Sequence, residues 1–236
     1  RSDIDLMHDA LAEWGWSELP TIWRRLPPSH SVTMRPGAWG CEIDMHHSFP
    51  GIGVPSDEAF AILREHAVEV DYAGTTAYLP DPAAHAVIAA LHTARPEPGR
   101  PNSSSEAVET LRRAGTATIE IAQRLHADAA LAPVLKDVFG DAFTVPDGQA
   151  PLNWRWRAQP STARAYLMVL RLMPLTARPR FAFRLLWPTR EMALASDARA
   201  GGGARTVLGA RIRRLRRGFG IVYGSSDVSL RGVARQ

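Results

Sequence analysis

One stretch near the middle constrains this chain more than any other. Residues 95–105 read Arg-Pro-Glu-Pro-Gly-Arg-Pro-Asn-Ser-Ser-Ser. Proline fixes φ and removes backbone donors, while glycine and serine add flexibility without apolar surface. No helix or core strand runs through such a segment. It predicts a domain over 1–95, a linker over 96–105 and a second domain over 106–236. The two sides carry different patterns. Before the linker, short segments with period-two alternation mix with helical ones; after it, apolar residues recur at helical spacing almost throughout. The expected class is α/β in the α+β sense, a mixed β-sheet with flanking helices followed by a mainly α-helical C-terminal domain.

In the first half, His8–Trp16 reads as a short helix ending at Gly15, and Pro27-Pro28 as a break. Ser31–Met34 and Trp39–His46 read as a hairpin around the turn Arg35-Pro36-Gly37-Ala38. Ser48–Val54 is a loop, and Ser56 is a plausible cap for a helix through Glu65 with Asp57 and Glu58 in its first turn. Val68–Val70 and Thr75–Leu79 form a second expected hairpin. Asp81 then caps a helix that has Pro82 at its first position and runs to about Ala94. Beyond the linker, helices are expected over Glu106–Arg113, Thr116–Asp128, Leu131–Phe139, Ala163–Met173, Arg180–Leu186 and Thr206–Arg217. Pro174 and Pro188 close two of them, and Gly201–Gly203 precedes the last.

Chemistry gathers at two alternating segments. If Arg1–Met7 is extended, Asp3 and Asp5 share one face about 7 Å apart, with Ile4 and Leu6 turned inward. Two carboxylates so placed repel each other unless a hard cation such as Mg²⁺ or Mn²⁺ lies between them. In Cys41–His46 the same alternation puts Cys41, Ile43 and Met45 inward and Glu42, Asp44 and His46 on the other face. A third carboxylate, Asp44, thereby completes the donor set that metal-assisted phosphoryl transfer uses.

These residues carry a resemblance. Arg-Ser-Asp-Ile-Asp-Leu at 1–6, Glu-Ile-Asp-Met-His at 42–46 and Leu-Pro-Asp-Pro-Ala-Ala-His at 79–85 resemble the uncharacterised bacterial nucleotidyltransferases of the polymerase-beta-like superfamily. Weaker similarity continues through Leu91-His92 to Arg184–Arg190. The resemblance implies a cytoplasmic, ATP- or other NTP-binding transferase that moves a nucleoside monophosphate to an acceptor hydroxyl. A small molecule, a protein side chain and a tRNA end all remain open as acceptor. Asp3, Asp5 and Asp44 would be its catalytic and metal-binding carboxylates, and Arg1 and Ser2 would contact the nucleotide. The superfamily's phosphate-cradling Gly-Ser or Lys-Gly turn would precede Arg1, so the sequence reads as lacking its natural start. Gly224-Ser225-Ser226-Asp227 has a similar composition but no Asp-x-Asp strand after it, and reads as a loop.

Composition limits the alternatives. The net charge is +4 with 45% hydrophobic and 22% charged residues, ordinary for a globular protein. Lys136 is the single lysine, so the positive charge is arginine, which grips phosphate in a fork. A single cysteine, Cys41, excludes an internal disulfide framework. No apolar run approaches the roughly 18–20 residues of a membrane span.

The remaining motifs have plainer explanations. His46 or His47 could meet phosphate or metal, yet surface or structural histidines are commoner; His85 and His92 have no metal-ligand spacing. Asn153-Trp-Arg-Trp-Arg157 interleaves aromatics and cations as single-strand grooves do, but tryptophans usually anchor cores. Arg211–Arg217 is the segment best suited to RNA or an anionic surface, against the default of a solvated helix face. Two rivals to the transferase therefore stand: a nucleotidyltransferase-like binding or regulatory module without turnover, and a basic RNA-binding protein.

Overall fold

The computed structural model describes residues 3–19, 30–37, 40–98, 104–199 and 206–216. Arg1, Ser2, Pro27-Pro28, Gly201–Gly203 and Gly224–Asp227 lie outside them. In chain order the elements are helix α1 (Asp3–Glu13), strands β1 (Trp16–Glu18), β2 (Ser31–Pro36) and β3 (Ile43–His46), and helix α2 (Ser56–Glu65). A hairpin of β4 (Ala67–Tyr72) and β5 (Thr75–Pro80) follows, then α3 (Pro82–Thr93), α4 (Ser105–Ala114), α5 (Ala117–Arg124) and α6 (Asp128–Phe139). The short α7 (Leu152–Arg155) precedes α8 (Thr162–Leu172), α9 (Arg178–Leu186), α10 (Arg190–Arg199) and a helix over 207–216, α11. Among the described residues the chain is mixed, with helices dominant and two small antiparallel sheets, one of order β1-β2-β3 and one of β4-β5.

Two compact units emerge, one of residues Arg1–Ile43 with Tyr166–Gln236 and one of Asp44–Ala165. The expected boundary at 96–105 therefore falls inside the second unit. The reason is packing: α3 and α4, on either side of the proline-rich stretch, lie against each other and share α6 as a neighbour. Pro96 and Pro98 follow the end of α3, yet α3 and α4 contribute to one core.

The second unit owes its core to α3. Ala84, Ala86, Val87, Ala90 and Leu91 are all buried, and α3 packs on α4, α5 and α6 through Leu111, Ile121, Leu125, Leu131 and Leu135. The small alanines let these helices approach closely, while each buried leucine contributes about 2 kcal/mol. The helix begins where the sequence predicts: the Asp81 carboxylate accepts a hydrogen bond from the Ala84 N–H at 2.7 Å, and Pro82 occupies the first turn. In the β4–β5 hairpin Tyr72 pairs with Thr75, and Ala73 and Gly74 turn the chain with positive φ. The Asp71 carboxylate accepts the Gly74 N–H at 2.8 Å.

The first unit departs more from expectation. Residues 3–13 are helical, with no residue of α1 fully buried. Leu6, expected inward, is 52% exposed, and Trp14, in the turn after the helix, is 84% exposed. Gly15 takes φ +79°, the left-handed conformation that ends a helix at little cost in glycine. Trp16, Ser17 and Glu18 then pair antiparallel with Pro36, Arg35 and Met34. Further on, Phe181, Val169 and Met173 are buried, and Tyr166 meets Phe181 edge to face at 6.3 Å.

Candidate functional site

The first carboxylate pair does not take the arrangement expected of it. Asp3 and Asp5 stand two positions apart in α1, where successive residues turn about 100°. They therefore point to nearly opposite sides of the helix instead of sharing a strand face, and both are exposed. The physical reason is local. Ala10, Leu11, Ala12 and Glu13 are strong helix formers, and two aspartates in a first turn suit the helix dipole. Among the described residues no three His, Cys, Asp or Glu side chains gather as a metal-holding group. On this helix Asp3 and Asp5 share no face that could hold one ion between them.

Asp44 does lie on a strand. Around it the alternation of β3 is only partly realised: Met45 is buried as expected, whereas Ile43 and Cys41 are exposed. Glu42, expected beside Asp44, is held by Arg35, whose Nη2 and Nε donate to Oε1 at 2.6 and 3.2 Å. Both partners are about half exposed, so this ion pair contributes no more than about 1 kcal/mol.

His46 carries the interesting environment. Its ring stacks face to face on Phe49, with centroids 4.6 Å apart and planes 3° from parallel. Burial pushes its pKa below the ordinary histidine value; His92 and Arg95 push the same way, against a backbone hydrogen bond at Ser48 and the charge of Asp44. Three chemically useful groups thus act on the His46 ring of β3: Asp44 from the same strand, His92 from the last turn of α3, and Arg95 just beyond it. Such a set can receive phosphate oxygens on the Arg95 guanidinium and accept a hydroxyl proton on Asp44. His47 is exposed, as is His85 on α3.

The sequence placed Arg95 at the edge of the linker and gave His92 no metal-ligand spacing. No pattern would have joined them to Asp44, because the juxtaposition arises from where α3 ends in relation to β3. The Asn153–Arg157 motif proves structural at its start. The Asn153 side chain accepts the Gly51 N–H at 3.0 Å, and its amide nitrogen lies 3.4 Å from the Phe49 carbonyl oxygen. That clamp fixes the 49–52 loop directly after the His46 strand. Trp154 is buried against Gly51.

The basic segment 211–217 is likewise committed in part to its own unit. Arg211 donates through Nε and Nη2 to the Pro188 carbonyl at 3.1 and 2.8 Å and stacks on Trp187. Arg213 grips Asp197 with two 3.0 Å hydrogen bonds. Arg217 lies outside the described residues. No helix among the described residues is long and apolar enough to cross a membrane. Comparison with known protein families, curated proteins and solved structures finds no match to this chain.

Proposed function

We propose that this chain binds a nucleoside triphosphate at the β3–α3 cluster and transfers its nucleoside monophosphate to an acceptor hydroxyl. What supports the reading is Asp44 on β3 beside His46, with His92 and Arg95 acting on the same ring. Arg95 balances phosphate charge there, the larger part of catalysis in such transfers. The acceptor oxygen attacks the α-phosphorus, the bond to the bridging β-oxygen breaks, pyrophosphate leaves, and Asp44 takes the hydroxyl proton. Asp3 and Asp5 enter no step.

A second reading, a nucleotide-binding module without turnover, draws support from the helical divergence of Asp3 and Asp5. Calorimetric titration with ATP, GTP, CTP and UTP, each in Mg²⁺ and in Mn²⁺, separates the two when pyrophosphate release is followed in parallel. For the transferase, Arg95→Ala weakens binding, and Asp44→Asn retains binding but abolishes pyrophosphate release. Binding without release in the wild type favours the module. Metal-dependent binding that vanishes in Asp3→Asn/Asp5→Asn restores that pair to the site. If no triphosphate binds, both readings fail.

A further inference from the structure

The charge of this chain is unevenly spread. Residues 166–217, all in the first unit, hold twelve of the 28 basic residues but only two of the 24 acidic ones, Glu191 and Asp197. The rest of the chain is therefore acidic, and the basic stretch suits a polyanionic partner.

Two helices of that stretch turn apolar side chains to solvent. In α9 Phe181 is buried, while Phe183 and Leu186, about 200° and 140° around the helix from it, are 64% and 56% exposed. In α11 Ala210 is buried, and Leu208 and Ile212, two positions to either side, stand opposite it and are exposed. A surface helix normally turns its polar face outward. Trp187 links the two helices: its partly exposed indole lies 4.5 Å from the Arg211 guanidinium, which also donates to the Pro188 carbonyl. Exposed arginines stand about one turn from each apolar pair, Arg180 before Phe183 and Arg216 after Ile212.

We propose that α9 and α11 dock on an anionic phospholipid surface. Phe183, Leu186, Leu208 and Ile212 enter the boundary between head groups and acyl chains, and Trp187 sits at head-group level. Arg180 and Arg216 meet the lipid phosphates. The aliphatic residues favour lipid over RNA, because single strands are held by aromatic rings and cations and gain little from leucine and isoleucine. Docking requires no helix that spans the bilayer, and it stands independently of triphosphate binding.

Flotation of the full chain with vesicles tests the proposal. The chain floats with mixed phosphatidylcholine and phosphatidylserine vesicles and stays behind with phosphatidylcholine alone. Phe183→Ser/Leu186→Ser and Leu208→Ser/Ile212→Ser each weaken binding to the mixed vesicles about tenfold or more. Their circular dichroism spectra match the wild type, since all four side chains are exposed. Arg180→Gln/Arg216→Gln also weakens binding, and added salt narrows its difference from the wild type. Asp44→Asn leaves flotation unchanged, so docking and triphosphate binding succeed or fail separately. No flotation with mixed vesicles overturns the proposal. Flotation that both apolar variants retain does so too, since arginine and charge alone then account for it. A dimer in sedimentation velocity without lipid, dissolved by either apolar variant, makes these residues a contact between copies and also overturns it. So does oligouridylate that displaces the vesicles and binds the apolar variants as tightly as the wild type, which assigns the arginines to RNA.

Discussion

His66 Nδ1 lies 3.1 Å from Asp81 Oδ2, and that contact ties the end of α2 to the start of α3. The opposite ring nitrogen, Nε2, lies 3.2 Å from Arg124 Nη1, whose guanidinium also donates to Glu65. Asp81 is thus shared: one oxygen meets His66, the other caps α3 at Ala84. Arginine can only donate, so His66 Nε2 must accept, which leaves Nδ1 to donate to the carboxylate. The arrangement requires the neutral ring protonated on Nδ1. Nitrogen NMR of His66 at neutral pH should therefore show that tautomer, against the more common Nε2–H form, and Arg124→Ala should release the constraint.

Asp81→Ala should destabilise the second unit by about 1 kcal/mol through the lost cap, more if the His66 contact goes with it. Burial raises the Asp81 pKa, but the Ala84 N–H and His66 together hold it below the ordinary carboxylate value. The sign follows: a depressed carboxylate stabilises the fold above its unfolded pKa, and that contribution is lost as pH falls through the lower folded value. Urea melts of wild type should thus weaken below about pH 4, and Asp81→Ala should flatten that part of the profile.

Histidine titration gives a direct check on the proposed site. Because burial, His92 and Arg95 depress His46 while Asp44 and the Ser48 backbone raise it, the direction in each variant is fixed. Arg95→Ala should raise the His46 midpoint toward the ordinary value, and Asp44→Asn should lower it further. A depressed histidine binds its proton more readily when unfolded. Its effect is therefore a loss of stability as pH falls through the unfolded value of about 6.5, complete below the folded one. If neither variant moves the His46 resonance, the four groups do not form one cluster.

Gly51 sets the loop after β3, with φ at +99°. A methyl group there would come within 2.5 Å of Leu91 Cδ2 and 2.9 Å of Trp154 Cε3. Leu91 could swing away, but the indole is rigid and buried. Gly51→Ala should accordingly cost about 2–3 kcal/mol, from backbone strain and overpacking together, seen as a lower urea midpoint with unchanged slope.

Much of this architecture was legible because the signals were local. Ser56 to Glu65, the β4–β5 hairpin, the Asp81 cap and the stops at Pro174 and Pro188 each follow from residues within a turn of one another. The site was less legible for the same reason. Arg1–Met7 offered both a strand alternation and helix formers just downstream, and helix prevailed from Asp3 on. Arg95 gains meaning only when the end of α3 comes near His46 of β3, a relation between residues about fifty positions apart that no single window contains. α7 and α10 carried no pattern strong enough to be read.

The remaining basic candidate can be argued from Arg213 and Asp197. Asp197 is 1% exposed and holds Arg213 bidentately, so this arginine serves to neutralise a buried carboxylate before it can serve a phosphate. Removing Arg213 withdraws two charge-assisted hydrogen bonds from the buried carboxylate. Arg213 is itself 44% exposed, so water softens the loss, and Arg213→Ala should cost about 2 kcal/mol, below the usual range for fully buried pairs. Arg211, bound to the Pro188 carbonyl and stacked on Trp187, is committed in the same way. With two of its cations engaged, this helix should bind single-stranded RNA only weakly and with a shallow dependence on salt. Each phosphate contact contributes a slope of about −0.7 to log K against log salt on single strands. A measured slope steeper than about −3, retained when Arg95 and Arg157 are replaced by glutamine, would show at least four contacts elsewhere. That result would favour the RNA-binding reading over both nucleotide readings.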